Sequence, residues 1–275
     1  MTSTDLTRLH NWFSTFCAAY SRDADPEALR NYLLKEEHTR MVCKAAVTIA
    51  TEVGCSGNDL YLAEAIGLLH DVGRFPQYRQ FRTFRDVDSV NHATQSVRTI
   101  HTERIISTLN VEERRLIMKS VARHNVYLLP QQLSPREEFF LRLIRDADKL
   151  DIWRVFLEYY NLPENDRASA VGLGYPDSPF CSREIFNTIM KGKMINLKDV
   201  RTLNDFKLLQ LSWLFDLNFI PTLCLFRDKG YLAAFAAILP PVKEVQCALT
   251  TIGYYLEQTI NAQRNVTQGE PSWIQ

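Results

Sequence analysis

The adjacent pair His70-Asp71, closing the apolar stretch from Tyr61 to Leu69, constrains this chain more than any other feature. Neighbouring side chains on a helix diverge by about 100°, so an imidazole and a carboxylate in adjoining positions can reach one cation from a helix end. One pair does not complete a metal site. The remaining ligands must come from other elements, and His38, His92, His124 and the run Asp146 to Asp151 each fall near a helix expected from the sequence.

Leu6 to Tyr20 reads as a first helix, in which His10 is a packing or surface histidine. A second, from about Glu27 to Val53, carries His38, and Val42, Ala45 and Ile49 follow it at the spacing of one inward face. The turn Gly54 to Asn58 ends it, with Asn58 placed to cap the helix that closes on His70-Asp71. Pro76 then argues against helix, so residues 73–86 read as a basic loop holding Arg74, Arg79, Arg82 and Arg85. Guanidinium groups there would bind phosphate oxygens. Ser89 is a plausible cap for a helix running to Leu109. On it Val97, His101 and Ile105 share a face, so spacing favours His101 as the inward histidine and leaves His92 beside the stripe. Val111 to His124 forms another helix, with Ile117, Val121 and His124 on its buried side. Ser134-Pro135-Arg136-Glu137 is a capping box opening a central helix to about Tyr160. On that helix periodicity supports Asp146 and Asp148 equally.

The order His, His-Asp, His, His, Asp, ending in Ala147-Asp148-Lys149-Leu150, resembles the HD superfamily of metal-dependent phosphohydrolases over roughly residues 35 to 155. The likeness implies an all-α fold, an HD-domain helical bundle with additional C-terminal helices. It also implies a ligand set of His38, His70, Asp71, His92, His124 and Asp148. His92 enters because Ser89-Val90-Asn91-His92-Ala93 is similar to a segment of a bacterial HD subfamily that also has Gly-Arg-Phe after the central pair, here Gly73-Arg74-Phe75. His101 is then a core histidine. Ala-Asp-x-Leu is the form in which these families present their last ligand, which selects Asp148 and leaves Asp146 as a supporting or salt-bridging carboxylate. Lys149 matches the lysine that contacts phosphate in related triphosphohydrolases. The triplet Gly174-Tyr175-Pro176 does not mark the cyclic-dinucleotide branch, because it follows the final Asp motif and His124 is followed by Asn125.

Such a ligand set implies one or two divalent transition-metal ions, with Mn, Fe, Zn, Co and Ni all compatible with imidazole and carboxylate donors. The implied reaction is hydrolysis of a phosphate ester, of a nucleotide or another small phosphorylated metabolite, by a metal-bound hydroxide. Asp71, Arg74 and Lys149 are the catalytic candidates, and Arg74, Lys149, Arg79 and Arg82 would hold the substrate. Two alternatives share the pattern: a di-iron oxygenase cleaving a C–C or C–P bond, and a non-catalytic nucleotide-sensing module.

Lys and Arg total 32 against 32 Asp and Glu, so nothing global favours stable nucleic-acid binding or a membrane surface. Any anionic ligand must be met locally, and an oligomer is compatible with the sequence. The six cysteines form no Cys-x-x-Cys pair, as expected for buried free thiols in a cytoplasmic protein. The longest apolar run, Tyr231 to Val242, is too short to span a bilayer. Residues 1–165 are expected to form the metal-binding core with its N-terminal helix, and 166–275 a helical extension packed on it. Helices are expected from Arg183 to Lys191, Asn204 to Phe219 and Val242 to Asn261, before a disordered tail.

Overall fold

A computed structural model describes residues 1–171 and 174–267. Among the described residues there is no strand, and the fold is all-α. None of the described helices is long and apolar enough to cross a membrane. The chain divides into two compact units, residues 1–173 and 174–275.

The first unit contains α1 (Ser3–Ser21), α2 (Pro26–Glu52), α3 (Asn58–Leu69), α4 (Arg74–Phe81), α5 (His92–Thr102), α6 (Val111–Arg123) and α7 (Pro135–Asn161). Their starts follow local chemistry. Thr2 and Asp5 form a capping box at α1, Asp25 accepts from Ala28 ahead of Pro26 at α2, and Ser134 and Glu137 form the expected box at α7. At the centre α2 packs along both α3 and α7. Here α3 is apolar on most sides, as a helix enclosed by neighbours must be, whereas α7 buries Arg145, Asp146, Lys149 and Asp151 among its apolar residues. The unit extends past residue 165 because Ala168 and Val171 bury against Val155, with Leu34, Phe156 and Tyr159 packed around them.

Several local expectations need correction. Asn58 is the first residue of α3 rather than its cap, and its amide instead donates to Glu113 at 3.0 Å. Pro76 does not break the chain into a loop, because it is the third residue of α4, where an N–H would have no intrahelical acceptor. The cap of α5 is Asn91, accepting from Thr94 at 2.9 Å, while Ser89 donates to the Arg85 carbonyl. That helix ends at Thr102, so Ile105 never shares a face with Val97. Its buried side runs through His92, Ala93, Ser96, Thr99 and Ile100, which leaves His101 exposed rather than in the core.

The second unit contains α8 (Arg183–Met190), α9 (Leu203–Ser212), α10 (Ile220–Asp228), α11 (Tyr231–Ala237) and α12 (Lys243–Thr267). The expected helix from 204 to 219 stops at Ser212 and gives way to a short 3₁₀ turn. Val245, Ala248, Ile252, Leu256 and Ile260 make the buried stripe of α12, which packs on α8, α10 and α11. The helix continues to Thr267, and the rest of the expected tail lies outside the described residues. All six cysteines are free; Cys17 and Cys43 are buried as expected, whereas Cys247 is exposed.

Candidate metal centre

The centre is assembled from five helices of the first unit and the turn after α3. His38 comes from the middle of α2, His70 caps the C-terminus of α3 with Asp71 next to it, and His92 opens α5. His124 caps the C-terminus of α6, and Asp148 lies on α7. Asp148 and Asp146 are two residues apart and so project about 200° from one another on a helix. Asp148 is the one brought to the imidazoles; Asp146 is fully buried elsewhere on α7.

Each imidazole is oriented through Nδ1. His70 donates to the Gly67 carbonyl at 2.6 Å and His124 to the Val121 carbonyl at 2.8 Å. His92 bonds Asp86 and His38 bonds Asp151, each at 2.7 Å. Carbonyl and carboxylate oxygens only accept, so this network assigns the ring proton to Nδ1 in all four rings. Every Nε2 is then left with a lone pair, and all of them point into one volume.

There the Nε2 atoms of His92 and His124 are 3.0 Å apart. The Nε2 of His38 is 3.1 Å, and that of His70 3.6 Å, from Oδ1 of Asp148. Asp71 faces both sides: its Oδ2 is 3.7 Å from the Nε2 of His38 and of His70, and its Oδ1 is 3.5 Å from that of His92 and 3.9 Å from that of His124. His38 Nε2, His70 Nε2 and Asp71 Oδ1 are buried without a hydrogen-bond partner among the described residues. Buried acceptors converging without enough donors are costly by themselves, and a cation relieves them. Three overlapping groups have ligand atoms within 4.8 Å of one another: His38, His70 and Asp71; His70, His124 and Asp148; Asp71, His92 and His124. The donor set fits a divalent transition metal.

Charge reinforces this fit. Burial pushes the Asp71 carboxyl up, but Lys35, His70, Arg74 and His92 together hold it well below the usual carboxylate range. Burial likewise raises Asp148, and the neighbouring imidazoles of His38 and His70 more than reverse the effect. His124 is lowered to about 3 by burial and then by the neighbouring His92 and His70, and His92 is lowered by burial and Arg74. Both are therefore neutral at pH 7, the form that binds metal. His38 goes the other way: burial and Lys35 disfavour its charge, yet the flanking Asp148 and Asp151 raise its pKa overall.

Lys35, Asp86 and Asp151 were not singled out by the sequence. Lys35 lies one turn before His38 and donates to Asp71 Oδ2 at 2.6 Å. Asp151 lies one turn after Asp148, so helical spacing could have found both. Asp86 sits in an irregular turn with no periodic signal, and it ties His92 to Arg74 and Gln77.

Arg74 flanks the centre, its Nε 3.5 Å from Asp71 Oδ1 and without a hydrogen-bond partner among the described residues, while its Nη1 is held by Gln77, Asp86 and the Phe84 carbonyl. Next to it Phe75 anchors α4 by packing against Phe13, Phe16, Tyr20 and Tyr32. Gly73 is required by close approach: a Cβ there would lie 2.3 Å from the Ser96 nitrogen and 2.5 Å from the His92 oxygen. Lys149 is buried on α7 beside Asp148. Arg79 and Arg82 are used differently from expectation. Arg79 lies 3.9 Å over the Tyr20 ring, and Arg82 pairs with Asp25 at the start of α2. Once residues 74–81 are helical, those side chains leave on the sides that face α1 and α2 rather than the imidazoles.

The family model for the HD domain matches residues 36–153, a span containing all of the clustered histidines and carboxylates. No curated protein and no solved structure matches the chain.

Proposed function

Residues 36–153 of this chain are an HD domain, and from that premise we propose that the protein hydrolyses phosphate esters of small metabolites with two divalent metal ions. The domain belongs to the superfamily of metal-dependent phosphohydrolases. The observation that carries the two-ion reading is the double facing of Asp71, whose oxygens address His38 and His70 on one side and His92 and His124 on the other. Asp148 completes the first side. When bound, such ions lower the pKa of water to supply a nucleophile and neutralise charge on phosphoryl oxygens.

The chain's own groups position the ester. Arg74 offers an Nε with no hydrogen-bond partner among the described residues beside Asp71, with Nη1 already fixed by Asp86 and the Phe84 carbonyl, so little side-chain entropy is lost on binding an oxygen. Lys35 supplies a second cation at Asp71, and Lys149 is a third candidate next to Asp148. A phosphoryl group in transfer needs mainly placement and charge stabilisation, which such cations provide.

The test is metal analysis of protein purified with and without air, paired with phosphate release across nucleotides, cyclic nucleotides and sugar phosphates. Two equivalents of metal with phosphate release are expected. Two irons with oxygen uptake and no phosphate release would assign the oxidative reading, and metal-loaded protein active on no substrate would assign a sensing role.

A further inference from the structure

A cavity of about 500 Å³ lies between the C-terminal end of α5 and the first half of α6, and no residue of the metal centre lines it among the described residues. Its volume is that of a small-molecule site. Ile100, Ile106 and Met118 give it an apolar floor, while His101, Arg104, Arg114 and Ser107 supply its polar groups; no carboxylate lines it among the described residues. Neither guanidinium group has a hydrogen-bond or ion-pair partner among the described residues. The contrast with a second cavity of about 560 Å³ at the N-termini of α6 and α7 is informative. There carboxylates line the wall, Glu112, Glu113 and Glu137, and two of the three cations are already paired, Lys119 with Glu137 and Arg136 with Asp59.

We propose that the α5–α6 cavity is a binding site for a phosphomonoester carried on a planar, apolar body. Two uncommitted guanidinium groups match phosphate oxygens through paired N–H donors, and the serine hydroxyl and imidazole add hydrogen-bonding capacity. The floor of isoleucine and methionine buries the body of the ligand, and methionine adapts to a flat ring. Arg104 adopts a left-handed backbone, φ 51°, where a non-glycine residue is strained. The helices that would grip the ligand carry His92 and His124 at their opposite ends, so occupancy would brace the pair that forms one side of the metal centre.

The full chain, stripped of metal by a chelator so that the HD centre does not hold phosphate through an ion, is titrated calorimetrically with adenosine monophosphate and with glycerol phosphate. Saturable binding of the nucleotide is expected, at least tenfold tighter than glycerol phosphate. Arg104→Gly removes a guanidinium while relaxing the backbone, and Arg114→Gln removes the other on a regular helix. Each should weaken the nucleotide at least tenfold, with the metal content of the loaded protein unchanged and the melting temperature not lowered. Absence of saturable nucleotide binding at millimolar concentration, equal affinity for glycerol phosphate, or unaltered affinity in both folded variants would overturn the assignment.

Discussion

His92 and His124 meet Nε2 to Nε2 at 3.0 Å, with Nδ1 of each committed to an acceptor, so neither neutral ring has a proton to offer the other. Two lone pairs at that separation repel unless a cation lies between or beside them. Replacing either residue by alanine should therefore reduce bound metal from two equivalents to one, the remaining ion being held by His38, His70, Asp71 and Asp148. Mass-spectrometric metal counting checks this; two equivalents retained in both variants would refute the pairing.

Asp86 orients His92, and supporting carboxylates of this kind typically change metal affinity by roughly 10- to 100-fold. Asp86→Asn should produce a loss of that size, read by competition with a chromophoric chelator. Burial raises the Asp86 carboxyl, but the bond and charge of His92 and the charge of Arg74 bring it down to about 2. A lowered folded pKa means the stabilisation is complete above the unfolded value of 3.8 and drains away as pH falls towards about 2. It amounts to roughly 2 kcal/mol. In denaturant titrations of the metal-free protein, Asp86→Asn should remove that portion of the acid dependence.

Lys35 donates to the buried Asp71 at 2.6 Å. Breaking such a pair strands a charge and costs roughly 3 kcal/mol. Lys35→Met should lower the stability of the metal-free protein by about that amount, and added metal should recover most of it by taking over the neutralisation of Asp71. Thermal melts with and without metal distinguish this from a packing defect, which metal would not repair.

Gly73→Ala would push a Cβ into backbone atoms of His92 and Ser96, which are not free to swing aside. Overpacking of this kind costs about 3 kcal/mol, and here relief requires α5 to move away with His92 on its first turn. Reduced melting temperature together with loss of one metal equivalent is expected; unchanged metal content would show that α5 does not depend on this contact.

Most helices of the first unit were legible because their signals are local. Capping at Ser134 and Glu137, the inward spacing from His38 to Ile49 and the stripe ending in His124 each depend on neighbours within a turn or two. Periodicity misjudged α5 because its buried face runs through Ser96 and Thr99, polar residues that hydropathy does not mark. Ser96 is buried to accept the Gly73 amide at 2.9 Å. Pro76 misled for a related reason: its effect depends on where the helix begins, and α4 begins only two residues before it.

The all-α class and the residue types that meet at the centre can be read from the chain alone, since helical spacing and an ordered set of metal-binding side chains are local or linear properties. Folding adds which oxygen of Asp71 faces which imidazoles, that Lys35, Asp86 and Asp151 support them, and that Arg79 and Arg82 turn away. Those outcomes depend on contacts between residues distant along the chain, such as His38 with Asp151, and no local pattern encodes the direction in which a packed helix presents its side chains to its neighbours.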